Sequence, residues 1–472
     1  MRALVWFRVD LRARDNPALH EACARADRGV VGVFLLTPAM WREHHDSPNK
    51  IAFHLACLRE LSKSLAERNI ALLVREAPGA SDAPAALLRL ARSCRCDALF
   101  FNDQLELNER SRDEAVEEAF LDAGLQVFRR HDQTAPLSLR TCAGGAYKVF
   151  SPFYLAWRRA LAERPEALAP LGLPRRQSEL FCPPDPVPVS LKGFEATADL
   201  SWLRPGENAA AKRLRRFLDG AAKRYHQQRD APACRGTSEL SPYFTAGALS
   251  LRQALSAAVE ANNGAVEGGN PGLSQWIRQL AWRDFHRFLL AATPRLSMGR
   301  PMKLWTEMVP WRRDQRDLQA WRQGETGYPL VDAAMQQLRA TGWMHNRLRM
   351  ITAMFLSKHL LLDWRLGERW FMEQLVDGDL ANNNGGWQWS ASTGTDAAPY
   401  FRVMNPTAQS RRWDPQGRFI RAFLPRLADI DDQAVHDPPA SLRQSLGYPP
   451  PIVDHAKARS RAIAAFRRAR PA

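Results

Sequence analysis

Five short apolar runs punctuate the beginning of this chain: 3–7 (ALVWF), 30–36 (VVGVFLL), 70–74 (IALLV), 98–101 (ALFF) and 125–128 (LQVF). Helix-length patterns such as 49–68 and 106–122 lie between them. Strand and helix alternating at this spacing fold as βαβ units, which predicts a parallel sheet covered by helices. Such sheets take ligands at the carboxyl ends of their strands. No G-x-G-x-x-G or P-loop follows the first run, so a dinucleotide or ATP site of the usual kind is not expected. Beyond the fourth run, Asn108 and Glu109 suit either a hydrogen-bonding site or the exposed start of a helix.

From about 165 to 206 the pattern lapses into a proline-rich stretch, with PPDPVPVS at 183–190, which reads as a linker crossing a surface. Past it, residues 209–219, 246–261, 273–292, 329–340, 344–362 and 367–376 carry helical periodicity. The expected organisation is an α/β domain over 1–135, a connection over 136–206 and a mainly α-helical domain over 207–472. The arginine- and alanine-rich end at 456–472 is a solvated helix or tail.

Charge separates the two halves. Residues 1–130 balance 19 Lys or Arg against 19 Asp or Glu, so the remainder carries the whole net charge of +16 and also 13 of the 15 tryptophans. Arginine beside stacking aromatics suits a nucleic-acid surface: cations neutralise phosphates and flat rings accept unstacked bases. A basic protein with buried tryptophans would look the same by count. The seven cysteines follow no regular spacing, which points to reduced thiols in a cytosolic protein and to no metal site. The amino terminus is broken by Arg8, Asp10 and Arg12, so no signal peptide is expected, and no run reaches membrane-spanning length.

Residues 382–402, NNNGGWQWSASTGTDAAPYFR, set three asparagines, two glycines and two tryptophans before a polar run holding Asp396 and Arg402. This composition reads as backbone held close to a ligand, with Trp387 and Trp389 offering stacking faces, or as a turn followed by structural tryptophans. Other clusters share the helical half. Thr237, Ser238 and Ser241 sit where helix starts favour phosphate or where hydroxyls simply cap. Trp276, Gln279, Trp282 and Arg283 recur along one helical face, and Trp343, Asn346, Arg347, Arg349 and Met350 form a second mixed face. Asp377 and Asp379 suit ribose hydroxyls, an arginine or a helix end.

VWFRVDLRARDNPAL at 5–19, ETGYPLVDAAM at 325–335, GWMHNRLRM at 342–350, DWRLGERWF at 363–371 and DGDLANNNGGWQWSASTGTDAAPYF at 377–401 together resemble the photolyase/cryptochrome family. The similarity covers nearly the whole chain. Through the methionine of WMHN it most resembles class I cyclobutane pyrimidine dimer photolyases of the folate-antenna type.

That resemblance implies an α/β antenna domain, a helical domain that binds FAD, and light-driven repair of pyrimidine dimers in DNA by a monomer. Carried onto matching positions, Tyr225, Thr237, Ser238, Leu240, Ser241, Trp276, Arg283, Asn346, Arg349, Asp377, Asp379 and Asn383 are the implied flavin shell. Asn383 resembles the asparagine at the flavin's redox-active nitrogen. Trp311, Trp364 and Trp387 resemble a chain that passes electrons inward from the surface. Trp282 and Trp389 are implied to line the lesion cavity with Asn346 and Met350, while Arg229, Arg347 and Arg402 match contacts to the DNA backbone. His44, Asn108 and Glu109 match positions that hold 5,10-methenyltetrahydrofolate.

Two departures stand out. Gln279 replaces the glutamate that the family's dimer photolyases usually set against the thymine edge, so a lower repair yield is expected. Ser297 and Met298 replace a cysteine and a lysine near the antenna. A cryptochrome-type photoreceptor signalling through a protein partner is the second expectation, and a flavin-free helical DNA-binding protein the third.

Overall fold

In the computed structural model, residues 1–132, 139–395 and 401–470 are described. They form two compact units: Met1–Ala196 with Ser201–Lys223 and Ser238–Pro294, and Thr197–Leu200 with Arg224–Thr237 and Arg295–Ala472. The α/β half and the helical half expected from the sequence are both present.

In the first unit, β1 (Ala3–Phe7), β2 (Val30–Leu36), β3 (Ala71–Glu76), β4 (Ala98–Asn102) and β5 (Gln126–Arg130) make one sheet in the order β3-β2-β1-β4-β5. Every pairing is parallel. β1, β2 and β4 are buried along their full length, as continuous Val, Leu and Phe runs require of strands covered on both faces.

The strand order reverses between β1 and β4, where such sheets usually open a ligand crevice. Here the chain's own polar groups fill it. Arg8 lies over the Trp6 ring at 4.2 Å, donates to Asp113 at 3.2 Å and also donates to the Asn102 carbonyl. The Asn102 amide donates to Asp10 at 2.6 Å and to Asn16 at 2.8 Å.

The proline-rich stretch packs against the sheet's edge. Asp185 donates its backbone N–H to the Leu72 carbonyl at 2.9 Å and accepts the Val74 N–H at 2.8 Å. An edge strand that would otherwise expose a row of unpaired groups is covered. The DLRARD loop after β1 holds helical residues of the same unit: buried Arg12 donates to the Asp15 carbonyl at 2.8 and 3.1 Å and to the Gly247 carbonyl at 3.1 Å. Gly247 adopts φ 69°, and a Cβ there would meet the Val9 carbonyl oxygen at 1.9 Å. Only glycine fits that approach.

The second unit is helical around a core that includes Trp321, Trp364, Phe371 and Trp387. Its ETGYPLVDAAM segment is anchored by buried Asp332, which accepts from Thr326 N at 2.7 Å, Thr326 Oγ1 at 2.6 Å, Gly327 N at 3.0 Å and the Tyr448 hydroxyl at 2.5 Å. The helical run expected over 344–362 is two pieces, Asn346–Met354 and a π-helical turn at Phe355–His359. The basic end of the chain is the helix His455–Ala469, whose Phe466 meets Trp311 edge-on at 5.7 Å.

One expectation is corrected. Residues 380–391 are not a turn but the helix Leu380–Ala391, with Asp379 as its cap accepting from Asn382 N at 2.9 Å. Tertiary packing overrides the weak helix propensity of Asn and Gly there. Asp396 lies outside the described residues.

Candidate functional site

The helix Leu380–Ala391 places the NNNGGWQW residues according to helical geometry. Two residues apart means about 200° around the axis, so Trp387 and Trp389 point to opposite sides. Trp387 is buried and Trp389 is partly exposed.

Trp387 is gripped edge-on by Phe371 at 5.0 Å and Trp321 at 6.0 Å. The glycine of DWRLGERWF exists for it: a Cβ on Gly367 would stand 2.1 Å from Trp387 Cη2. The indole N–H of Trp387 is buried without a hydrogen-bond partner among the described residues. Trp364, on the helix Trp364–Gln374, is also buried, and Trp311 is half-buried.

Asn383 donates its amide to the Glu368 backbone carbonyl at 3.0 Å. That fixes which end of the amide is spent. Its oxygen makes no hydrogen bond to a described residue, so an acceptor is left over on a side chain tied through its nitrogen. Behind it runs a buried relay: Asn384 donates to Glu368 Oε1 at 2.8 Å, Gln388 donates to Asn384 at 2.8 Å, and Met302 N donates to Gln388 at 2.8 Å. Burial pushes the Glu368 carboxyl up to about 7, against the opposing hydrogen bond from Asn384.

Asp377 takes both of its oxygens to one nitrogen of Arg349, at 2.8 and 3.0 Å, and Arg349 Nε donates to the Met344 carbonyl at 2.8 Å. Of the alternatives open for the two aspartates, the arginine partner is realised by Asp377 and the helix cap by Asp379. Asn346 and Met350 are one turn apart, amide to sulfur 3.9 Å, with Asn346 exposed. Arg402 lies over the Trp389 ring at 5.2 Å. Buried Tyr225 carries Arg229 over its ring at 5.6 Å, and Thr237 is partly exposed.

In the first unit, Trp276, Gln279, Trp282 and Arg283 share the helix Pro271–Ala292. Trp276 is buried against Phe217 at 5.0 Å, whereas Gln279, Trp282 and Arg283 are partly exposed. Trp282 stacks on Phe150 at 3.9 Å. Phe150 stacks on Tyr154 at 5.5 Å, Tyr154 on Trp157 at 5.9 Å, and Trp157 Nε1 donates to Asp284 at 2.8 Å. Arg283 lies over Phe244 at 5.4 Å. Leu240 is buried at the cap position of the helix Ser241–Ala246, which no side chain caps, and Ser238 is partly exposed beside it.

Also in the first unit, His44, Asn108 and Glu109 converge. His44 Nδ1 is 3.3 Å from Glu109 and its Nε2 is 3.1 Å from the Asn108 amide. Burial opposes charge on this imidazole, but the hydrogen bond and charge of Glu109 outweigh it, so the His44 pKa is raised. Met298, in the second unit, is exposed. Sequence reasoning missed Phe150, Asp230 and Glu368. Phe150 has no local signal for a partner so distant in the chain, and Asp230 shows in the sequence only as an acid beside Arg229, with nothing to pair it with Arg347.

Among the described residues no helix is long and apolar enough to cross a membrane, and no cluster suits a metal ion.

Two family models match: residues 3–171 fit "DNA photolyase", and residues 276–468 fit "FAD binding domain of DNA photolyase". The chain is 46% identical over 470 residues to a deoxyribodipyrimidine photo-lyase of Salmonella typhimurium, covering 99% of this chain and 98% of that one. It is 44% identical over 471 residues to the Escherichia coli protein of the same name, with the same coverage. Among solved structures, a bacterial class III photolyase from Agrobacterium tumefaciens superposes with a TM-score of 0.88 at 34% identity, over 99% of this chain and 97% of that one. On matches of this length and identity, the chain belongs to the DNA photolyase family.

Proposed function

We propose that this protein is a class I deoxyribodipyrimidine photo-lyase that repairs cyclobutane pyrimidine dimers in DNA, with FAD as its cofactor. The observation that carries the reading is the state of Asn383: an amide tied through its nitrogen to the Glu368 carbonyl, with its oxygen making no hydrogen bond to a described residue, on the same helix as the buried Trp387. That free acceptor fits a reduced flavin, whose redox-active nitrogen carries a hydrogen it can donate. When bound in its reduced form, FAD supplies under illumination the electron that opens the cyclobutane ring and takes it back once both carbon–carbon bonds have broken.

The residues divide the remaining work. Asn383 offers its oxygen to the flavin without ionising. Asp377, fixed by Arg349, and Tyr225, Thr237, Asn346 and Asp379 are assigned to hold the cofactor. Ser238, Leu240, Ser241, Trp276 and Arg283, all of the first unit, are assigned to the same cofactor on family resemblance alone. Trp311, Trp364 and Trp387 form the path by which electrons enter: indoles are the most easily oxidised ordinary aromatics, and the two inner ones are shielded from water.

On family resemblance Trp282 and Gln279 of the first unit, and Trp389, Asn346 and Met350 of the second, are assigned to the extruded dimer, the two indoles as stacking faces. A dimer is poorly stacked, so extruding it costs less than flipping intact bases, and photolyases are among the enzymes that flip. Arg229, Arg347 and Arg402 take the backbone phosphates.

Methenyltetrahydrofolate is assigned as antenna to His44, Asn108 and Glu109. Their convergence on one hydrogen-bonded cluster supports this. The working form is a cytosolic monomer; that all seven cysteines are free supports a reducing compartment.

The test is to incubate flavin-loaded, reduced protein with a dimer-containing oligonucleotide. Dimers disappear in blue light and persist in the dark. Flavin-loaded protein that leaves them intact under both conditions refutes the reading and favours a photoreceptor.

A further inference from the structure

Two arginines assigned to the DNA backbone share one carboxylate. Arg347 reaches Asp230 through Nε at 3.2 Å and Nη2 at 2.8 Å, and Arg229 Nε stands 3.7 Å from the same group. The three side chains are 15%, 20% and 18% exposed for Arg347, Asp230 and Arg229, so the cluster is partly sheltered but reachable from solvent.

Each guanidinium has a seat that does not depend on Asp230. Arg347 lies on the Trp413 ring at 4.8 Å, and its backbone N–H is held by His345 Nδ1 at 3.2 Å. Arg229 lies on Tyr225 at 5.6 Å, and its N–H donates to the Tyr225 carbonyl at 2.9 Å. The carboxylate is therefore surplus to placement. What it changes is charge, since a planar, bidentate acceptor is also what a backbone phosphate offers an arginine.

We propose that Asp230 sets specificity by standing in for a DNA phosphate. In the DNA-free protein it offsets part of the charge of Arg229 and Arg347, so intact duplex gains little there. A strand bent and opened at a dimer gains further contacts elsewhere and competes for the two arginines. Asp230 thus acts on the charge of the two arginines and not on their placement, and the inference rests on the DNA-repair reading above.

The test measures affinity of Asp230→Asn, Asp230→Glu and the unaltered flavin-loaded protein for undamaged and dimer-containing duplexes across a salt series. Asp230→Asn is expected to bind undamaged duplex roughly five- to tenfold more tightly at low salt. Its log-affinity should fall with log salt more steeply by about 0.9, the increment for one more neutralised phosphate. Preference for the dimer should drop several-fold, while Asp230→Glu keeps the charge and the unaltered salt slope. Asn-variant binding to undamaged duplex that is unchanged or weaker, with no change in slope, would overturn the proposal and leave Asp230 a strut. If the unaltered protein shows no preference for dimer DNA, the repair reading itself fails and this inference falls with it.

Discussion

Trp282 lies flat on Phe150, ring centroids 3.9 Å apart and planes within 8° of parallel. One face of the indole is thereby occupied by protein, and the aromatic column behind it ends on the Trp157–Asp284 hydrogen bond. A stacking residue backed this way enters binding with its rotamer already chosen, so little side-chain entropy is lost on meeting a base.

Replacing Phe150 with Leu removes the backing and leaves Trp282 in place. Offset-stacked pairs contribute about 0.5–1.5 kcal/mol beyond burial, so affinity for dimer-containing DNA is expected to fall roughly two- to tenfold. Fluorescence anisotropy of a labelled oligonucleotide measures it. Phe150→Tyr should restore binding; equal loss in the Leu and Tyr variants would show that the stack is not the cause.

Gln279 keeps the hydrogen-bonding shape of a glutamate but has no acidic proton to offer. Gln279→Glu is expected to raise the quantum yield of repair at unchanged dimer affinity. An unaltered yield rejects the idea that this side chain limits the reaction.

Gly367→Ala forces a methyl into the space of the Trp387 ring, 2.1 Å from Cη2, and against Leu356 Cδ2 at 2.5 Å. Overpacking of this kind costs about 1–3 kcal/mol. A lowered melting temperature is expected, together with slower photoreduction of bound flavin because the indole is displaced.

Glu368 should leave a signature in stability against pH. Burial raises its folded pKa to about 7, above the usual carboxylate value, so the folded protein holds a proton there that the unfolded chain has released. Stability therefore declines as pH rises from about 4.5 towards about 7, by up to about 3 kcal/mol from this group, and then levels off. Glu368→Gln retains an acceptor for Asn384 and should flatten that decline in urea titrations. An identical pH profile in the variant would mean the carboxyl is ionised throughout.

Much of this architecture was legible because local pattern and tertiary role coincide. The run VVGVFLL is short and strand-like within a βαβ alternation, and the structure places Val30–Leu36 second in a parallel sheet, buried along its length. The segment around Asn383 was misread as a turn because Asn and Gly are poor helix formers; the Asp379 cap and the packing of Trp387 decide otherwise. Nothing local in the sequence joins His44 to Asn108 and Glu109, since His44 and Asn108 are 64 residues apart. Phe150 against Trp282 and Asp230 against Arg347 were invisible for the same reason: a side chain's partner is chosen by the fold and leaves no periodic trace.

The central claim is that the chain's residues hold a reduced flavin whose electron is lent and returned. Counting dimers restored per bound FAD under continuous blue light, with the flavin spectrum recorded before and after, tests it most directly. Many dimers are expected to be restored per flavin, with the flavin as reduced at the end as at the start. No restoration by flavin-loaded protein, or one flavin oxidised for each dimer opened, would contradict it.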